Sequence, residues 1–285
     1  MVLESLFNPF KVKKRPWEMF MAGFIYSVVG LFLGYFVFRE IAGILMVFLI
    51  VIATVPLLYV TIKNEEELDL KYDKEFFLLK EHSKVLIFLM FMFLGSTLAL
   101  VLAYVFLPQP MTDTIFSLQK QAIVNINQNI IEQHVTGNFT RFDVFTRIII
   151  NNFKVLFFCL IFSFLYGTGA VFILTWNTSV IATAMGSFIK IELAKTASLV
   201  GFPSIAAYFG VATSSFLRYM THGLFEIASY FIAGLAGGII SIAIIKHNFQ
   251  EDRVFVDALD LILISIGMLV AAGLIETYIT PLLFV

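Results

Sequence analysis

The chain has 285 residues, of which 60% are hydrophobic and 14% are charged, and its formal net charge is −1. A water-soluble domain carries about a quarter charged residues, so this composition excludes a soluble protein and indicates an integral membrane protein surrounded by lipid. The net charge near zero argues against nucleic acid as a partner, since such a partner needs a clustered basic face. The single cysteine, Cys159, lies inside an apolar run, where it is a small buried hydrophobe and has no partner for an internal disulfide.

Three apolar runs form an N-terminal region, residues 1–107. A helix needs about 20 apolar residues to cross a membrane, and the predicted spans are 17–38, 41–62 and 85–107. Only two residues separate the first two spans, which we therefore expect to form a tight helical hairpin. The charged segment 63–84 is interpreted as a solvated linker with a short helix.

A polar segment, residues 108–147, follows the third span. Pro108 and Pro110 end that span, and the residues after them are rich in Asn and Gln, with Ile and Phe at helical spacing. We predict a small helical cap here, outside the membrane.

The C-terminal membrane domain, residues 148–285, has four further predicted spans. These are 148–175, 178–189, 222–245 and 258–280. Residues 203–216 are too few and too rich in Ser and Ala for a span, so they are predicted to be re-entrant or to lie along the interface. The fold class is an all-α, polytopic transmembrane helical bundle of about seven spans with a re-entrant segment and a small external cap.

Basic residues predict the orientation, because they favour the cytoplasmic flanks of spans. Lys11, Lys13, Lys14 and Arg15 precede the first span, and the hairpin brings the lysines of 63–84 to the same side. The N-terminus is therefore expected to be cytoplasmic and the cap external, with the protein in the cell membrane.

Polar residues inside the spans are the candidates for a functional site, because ionisable groups are costly in hydrocarbon. His222 and Glu226 are four residues apart and share a helix face. The predicted topology brings Asn151, Asn152 and Glu276 to a similar depth, below the external surface. Two carboxylates in one polar cluster would retain a proton near neutral pH. The alternative is that each residue separately bonds an interfacial group and serves packing.

Small residues at a spacing of four recur in two spans and allow helices to approach closely. They are Gly30 and Gly34 in the first span, with Ala233, Gly234, Gly237 and Gly238 in the sixth. Packing within the chain is the default interpretation, and a homodimer interface is the alternative.

Catalytic signatures are nearly absent from the sequence. Residues Ser187 to Lys190 match an SxxK pattern, but the motifs that accompany it in hydrolases are missing. One His with one or two carboxylates is a weak argument for a metal. We predict no catalytic residue, no metal and no cofactor, and thus a protein that is not an enzyme.

A series of short motifs in the C-terminal domain is similar to the stage II sporulation protein M family. In order, they are Asn151-Asn152, Gly167-Thr168-Gly169, Leu174 to Asn177, His222 to Glu226, Ile232 to Gly237, and Ala272 to Glu276 followed by Pro281. The resemblance covers roughly residues 145–285, and the first three spans resemble the archaeal branch. It implies a membrane domain with Asn151, Asn152, Asn177, His222, Glu226 and Glu276 at motif positions. The sporulation member of the family is a membrane anchor that assembles with cell-wall-degrading partners.

Two hypotheses for function follow. The first is a non-enzymatic scaffold or accessory subunit of a membrane complex, dimeric in one version, in which the cap or the 63–84 segment docks a membrane or external protein. The alternative is a proton- or cation-coupled transporter that uses His222, Glu226 and Glu276 as its intramembrane site.

Overall fold

The computed structural model describes residues 16–71, 75–134, 140–166, 169–201, 204–245 and 252–284, and in these residues it contains helices and no strands. The basic cluster 11–15 and residues Lys246 and His247 lie outside the described residues. The helices are α1 Pro16–Val37, α2 Ala42–Lys71, α3 Glu75–Phe106, α4 Gln109–Ile115, α5 Ser117–His134, α6 Arg141–Tyr166, α7 Ala170–Val200, α8 Ile205–Ile245, α9 Asp252–Leu274 and α10 Thr280–Leu283. A 3-10 turn, Arg39–Ile41, precedes α2, and a π-helical turn, Ile275–Ile279, links α9 to α10.

Seven of the described helices are long and apolar enough to cross a membrane: α1, α2, α3, α6, α7, α8 and α9. This confirms the prediction of an all-α, polytopic bundle. The charged segment 63–84 is more helical than expected, since α2 continues to Lys71 and α3 starts at Glu75. Its Glu, Lys and Leu residues favour helix, which explains why the two spans extend into it.

Close backbone contacts hold the first three helices together. A Cβ added to Gly34 would lie 3.1 Å from the carbonyl oxygen of Ala42, so α1 and α2 meet at the predicted small-residue face. A Cβ on Gly30 would lie 3.0 Å from Cγ1 of Ile50. On the other side of α1, a Cβ on Gly95 of α3 would overlap the carbonyl oxygen of Phe20. Without these glycines the helices would have to separate.

The small-residue face of the sixth predicted span is likewise used within the chain. A Cβ on Gly237 would lie 2.5 Å from the carbonyl oxygen of Leu160, and one on Gly234 would lie 2.9 Å from Cβ of Ala170. Ala233 is fully buried, and Gly238 is buried as well. Helix α8 therefore packs tightly against α6 and the start of α7.

Helix α8 has 41 residues and is the longest helix described. At 1.5 Å per residue it extends about 61 Å, roughly twice the thickness of the hydrocarbon layer. Its first part contains residues 205–216, so the prediction of a re-entrant segment is wrong for these residues. They continue the sixth span as one helix, because Ala supports helix and α7 offers a packing surface. Ser215 Oγ, for example, donates to the carbonyl oxygen of Met185 at 3.3 Å.

Helices α4 and α5 form the predicted cap and close one end of the bundle, here called the cap side. The side chain of Gln119 is fully buried and donates to Ser179 Oγ on α7 at 3.2 Å. Lys190 Nζ, further along α7, donates to Gln109 Oε1 at 3.2 Å. The C-terminal part of α7 and the start of α8 therefore lie on the cap side.

Candidate functional site

Five polar side chains meet between α6, α8 and the end of α9, and we call them the carboxyl cluster. Its members are Asn152, His222, Glu226, Glu276 and Thr280. Glu226 lies almost midway along α8, which crosses the membrane. The cluster therefore lies between helices of the transmembrane bundle, and its His222, Glu226 and Glu276 side chains are partly buried.

Direct contacts connect the members of the cluster. Asn152 Nδ2 donates a hydrogen bond to Glu226 Oε1. The carboxyl groups of Glu226 and Glu276 lie within hydrogen-bonding range of each other. His222 Nε2 is 3.9 Å from Glu276 Oε1, and His222 Nδ1 is 3.2 Å from Thr280 Oγ1. Three helices thus supply one continuous polar group.

The π-helical turn delivers Glu276 to this group. It contains one residue more per turn than an α-helix, and the backbone N–H of Thr280 closes it on the carbonyl oxygen of Ile275. The hydroxyl of Thr280 donates to the same oxygen at 3.2 Å. Such turns are rare and frequently lie at functional sites, because they change the direction of nearby side chains.

Burial increases from one side of the cluster to the other. Glu276 has 32% of its side chain exposed and His222 has 14%, whereas Asn152 as a residue is 7% exposed. Tyr230, one turn beyond Glu226 on α8, is buried. Glu276 is therefore the carboxyl group nearest to the outside of the bundle.

The electrostatics of the pair restrict its protonation. Two ionised carboxylates this close within hydrocarbon would repel strongly and lose their hydration, so sharing one proton is the less costly arrangement for such a pair. The amide of Asn152 donates to Glu226, whereas the ring of His222 lies 3.9 Å from Glu276, beyond hydrogen-bonding distance. Within the described residues, no group of three or more His, Cys, Asp or Glu side chains is arranged to hold a metal ion. The arrangement suits the binding and release of a proton.

The structure separates two of the predicted residues from the cluster. Asn151 points out of the bundle, and its amide bonds Asn152 Oδ1 at 3.5 Å. Adjacent helical residues point about 100° apart, so only one of the two asparagines can face α8. Asn177 lies on α7, a helix that contributes no side chain to the cluster. The structure brings together Asn152, His222, Glu226 and Glu276.

Two members of this neighbourhood were missed by the sequence analysis. Thr280 follows Glu276 by four residues, and Tyr230 follows Glu226 by four residues. Residues at this spacing share a helix face, so the pattern could have identified both. The π-helical turn has no signal in the sequence that we could have used.

Comparison with known proteins identifies the family. The family model for Stage II sporulation protein M matches residues 84–281. The match begins earlier than the expected residue 145 and includes most of α3, the cap and the whole carboxyl cluster. No curated protein and no solved structure gives a significant match. The chain is a multi-pass membrane protein and belongs to the Stage II sporulation protein M family.

Proposed function

We propose that the chain is a proton-coupled membrane transporter in which Glu226 and Glu276 bind the coupling proton. The observation that carries this proposal is the close approach of two carboxyl groups within the transmembrane bundle, Glu226 on α8 and Glu276 on the π-helical turn. Ionisable groups within membrane-spanning segments are costly, and in membrane proteins they commonly form proton relays or ion sites.

The unequal burial of the pair suggests a direction for proton exchange. Glu276 is partly exposed, whereas Glu226 is bonded to the buried Asn152. A proton would enter and leave through Glu276, and Glu226 would hold it inside. This proton exchange needs no cofactor.

The π-helical turn supplies a means of changing access. Conversion of the turn into regular α-helix would shift the register by one residue and rotate Glu276 by about 100°. That rotation would separate Glu276 from Glu226 and from His222. Alternating between the two states would expose the proton site to different surroundings, as transport requires.

Proteoliposomes containing a trapped pH indicator test the proposal. A potassium diffusion potential is applied first alone and then with panels of amino acids, organic anions and metal cations. Wild type should move protons in response to one of these compounds. Proton movement by Glu226→Gln should fall to the level of protein-free vesicles. Asp260→Asn is the matched control, because Asp260 is an exposed carboxylate on α9 outside the cluster.

Two outcomes would count against transport. One is proton movement that is unchanged in Glu226→Gln, which would remove the cluster from the mechanism. The other is proton movement by wild type that does not exceed the level of protein-free vesicles with any compound of the panels. Size-exclusion chromatography and circular dichroism of each variant establish that it has folded.

The second candidate is a non-enzymatic scaffold or accessory subunit, and the outer face of the cap favours it. Leu118 and Val124 are exposed on α5, while Gln119 and Phe116 fix the opposite face to the bundle. Exposed apolar residues outside the membrane suit docking of a membrane or external protein. A homodimer would have to use a face other than the Gly30/Gly34 contact, which α2 already occupies.

Gentle-detergent purification from native membranes tests the scaffold. Wild type should retain a stoichiometric protein partner, and the double variant Leu118→Asp with Val124→Asp should lose it. Gln121→Asp, on the same exposed face but already polar, should retain the partner. Wild type isolated without any partner would argue against this role.

We also propose that the protein lies in the cell membrane with a cytoplasmic N-terminus and an external cap. Cys159 is buried and is the single cysteine, so Cys159→Ala gives a simple background for labelling. In intact cells an impermeant maleimide should label Thr114→Cys in the cap and leave Ser83→Cys, at the other end of α3, unlabelled. The reverse pattern would invert the topology.

A further inference from the structure

A long apolar groove opens on the side of the bundle, away from the carboxyl cluster. It has a volume of about 640 Å³ and runs between α3, α7 and the first part of α8. Leu94, Leu98 and Phe106 form one wall, and Phe209 and Ala212 form the other. The groove exists because α8 continues as a helix to Ile205 without closing against α3.

The dimensions of the groove match one leaflet of a bilayer. Its lining on α3 extends from Leu94 to Phe106, which are 12 helical steps apart. At 1.5 Å per residue this is about 18 Å, close to half of a hydrocarbon layer of roughly 30 Å. The groove therefore extends from the middle of the membrane to its cap-side surface.

Polarity changes along the groove in the same direction. At its deeper end the hydroxyl of Thr97 donates to the carbonyl oxygen of Phe93 at 2.9 Å, so it presents no free donor. Tyr208 brings a phenol to the cap-side end. The cap-side end therefore offers a hydroxyl, while the deep end is apolar.

We propose that this groove binds one acyl chain of a membrane phospholipid, with the headgroup at the cap-side end. The groove opens sideways from membrane-spanning helices, where the surrounding medium is hydrocarbon. An amphiphile has the same polarity gradient as the groove, and its chain has the length of one leaflet. The phenol of Tyr208 can bond to a polar headgroup at the cap-side end. This site is independent of the proton pair, and it stands whether or not the protein transports.

Quantifying the phospholipid that copurifies with the protein tests the proposal. Wild type is purified in mild detergent without added lipid and should retain about one phospholipid per chain. Ala212→Trp places a large ring in the groove and should reduce this content roughly tenfold, equivalent to about 1.4 kcal/mol of binding free energy. Leu263→Trp adds the same ring to an exposed position on α9 and should retain the lipid.

Leu98→Trp fills the groove from the opposite wall and keeps the test decisive if Ala212→Trp does not fold. Wild type without bound phospholipid would overturn the proposal, as would both groove variants retaining wild-type content. A wild-type dimer that Ala212→Trp converts to a monomer would show that a second copy occupies the groove instead. A stoichiometric protein lost in both variants would assign the groove to that protein, and would equally overturn lipid binding.

Discussion

The bundle contains buried polar side chains in two regions, and they are used differently. In the N-terminal region, the hydroxyls of Thr54 and Thr97 each donate to the carbonyl oxygen four residues earlier in their own helix. In the C-terminal region, Asn152, Glu226 and Glu276 bond across three helices. The C-terminal region connects helices through ionisable and amide side chains, whereas in the N-terminal region the interhelical bond of Ser96 goes to a backbone carbonyl oxygen.

This difference shows where function can be expected in a very apolar chain. A hydroxyl bonded within its own helix has already used its only O–H donor. Interhelical bonds between ionisable groups are more costly to bury, and a structural role could be filled by apolar side chains. The N-terminal helices are held by backbone approach at glycines, whereas the C-terminal helices surround a polar site.

The largest expected effect is on the backbone contacts of the N-terminal region. Gly95→Ala would drive a Cβ into the carbonyl oxygen of Phe20, forcing α1 and α3 apart. We expect a loss of about 2–3 kcal/mol in the free energy of unfolding, measured by denaturant unfolding in mixed micelles. Gly267→Ala on α9 is the control, since its Cβ would meet nothing within 4 Å. Equal stabilities of the two variants would refute tight backbone packing in the N-terminal region.

The polar bonds of the C-terminal region should have the next largest effect. Asn152→Leu removes the amide that donates to Glu226 and should cost about 1–2 kcal/mol of unfolding free energy. Asn151→Leu, one residue earlier and facing outward, should be neutral. The same micelle unfolding assay measures both. A neutral Asn152→Leu would mean that Glu226 finds another donor, and it would weaken the contrast between the regions.

The spans and part of the carboxyl cluster could be predicted from the sequence. The two properties used for these predictions also explain what could not be predicted. Hydropathy identifies a span because lipid must surround it, and a spacing of four places His222 and Glu226 on one face. Neither property reports how a neighbouring helix is rotated, so Asn151 and Asn152 could not be distinguished.

The length of α8 and the π-helical turn also could not be predicted from the sequence. Residues 205–216 are too few and too rich in Ser and Ala to predict a span, yet they are helical and pack against α7. The π-helical turn at Ile275–Ile279 depends on the packing of α9 against α6 and α8, and no local motif encodes it. Tertiary contacts decided both features.

The hydroxyls bonded within their own helices should have a small effect. Thr54→Val and Thr97→Val replace each hydroxyl with a methyl group of similar size, and the freed carbonyl oxygen keeps its backbone hydrogen bond in the helix. We expect changes within about 0.5 kcal/mol. Ser96→Ala is the informative neighbour, because Ser96 Oγ donates across helices to the carbonyl oxygen of Gly23 at 3.1 Å. A larger effect at Thr54 or Thr97 than at Ser96 would contradict the distinction between bonds within and between helices.

The smallest expected effect concerns the cap, where polar contacts face water. A hydrogen bond from the Lys120 ammonium, 2.5 Å from Asp113 Oδ1, lowers the pKa of the Asp113 carboxyl. Because the pKa is lower in the folded protein than in the unfolded chain, the contact stabilises the cap at neutral pH. That contribution is lost as the pH falls from the unfolded carboxyl's pKa, about 3.9, through the lower folded value.

Thermal unfolding of wild type and Asp113→Asn should therefore differ slightly near pH 7 and converge in acid. Because Asp113 is exposed, salt should shrink the difference at neutral pH. A gap that persists in acid would assign the stabilisation to packing or to the amide and not to the carboxylate charge.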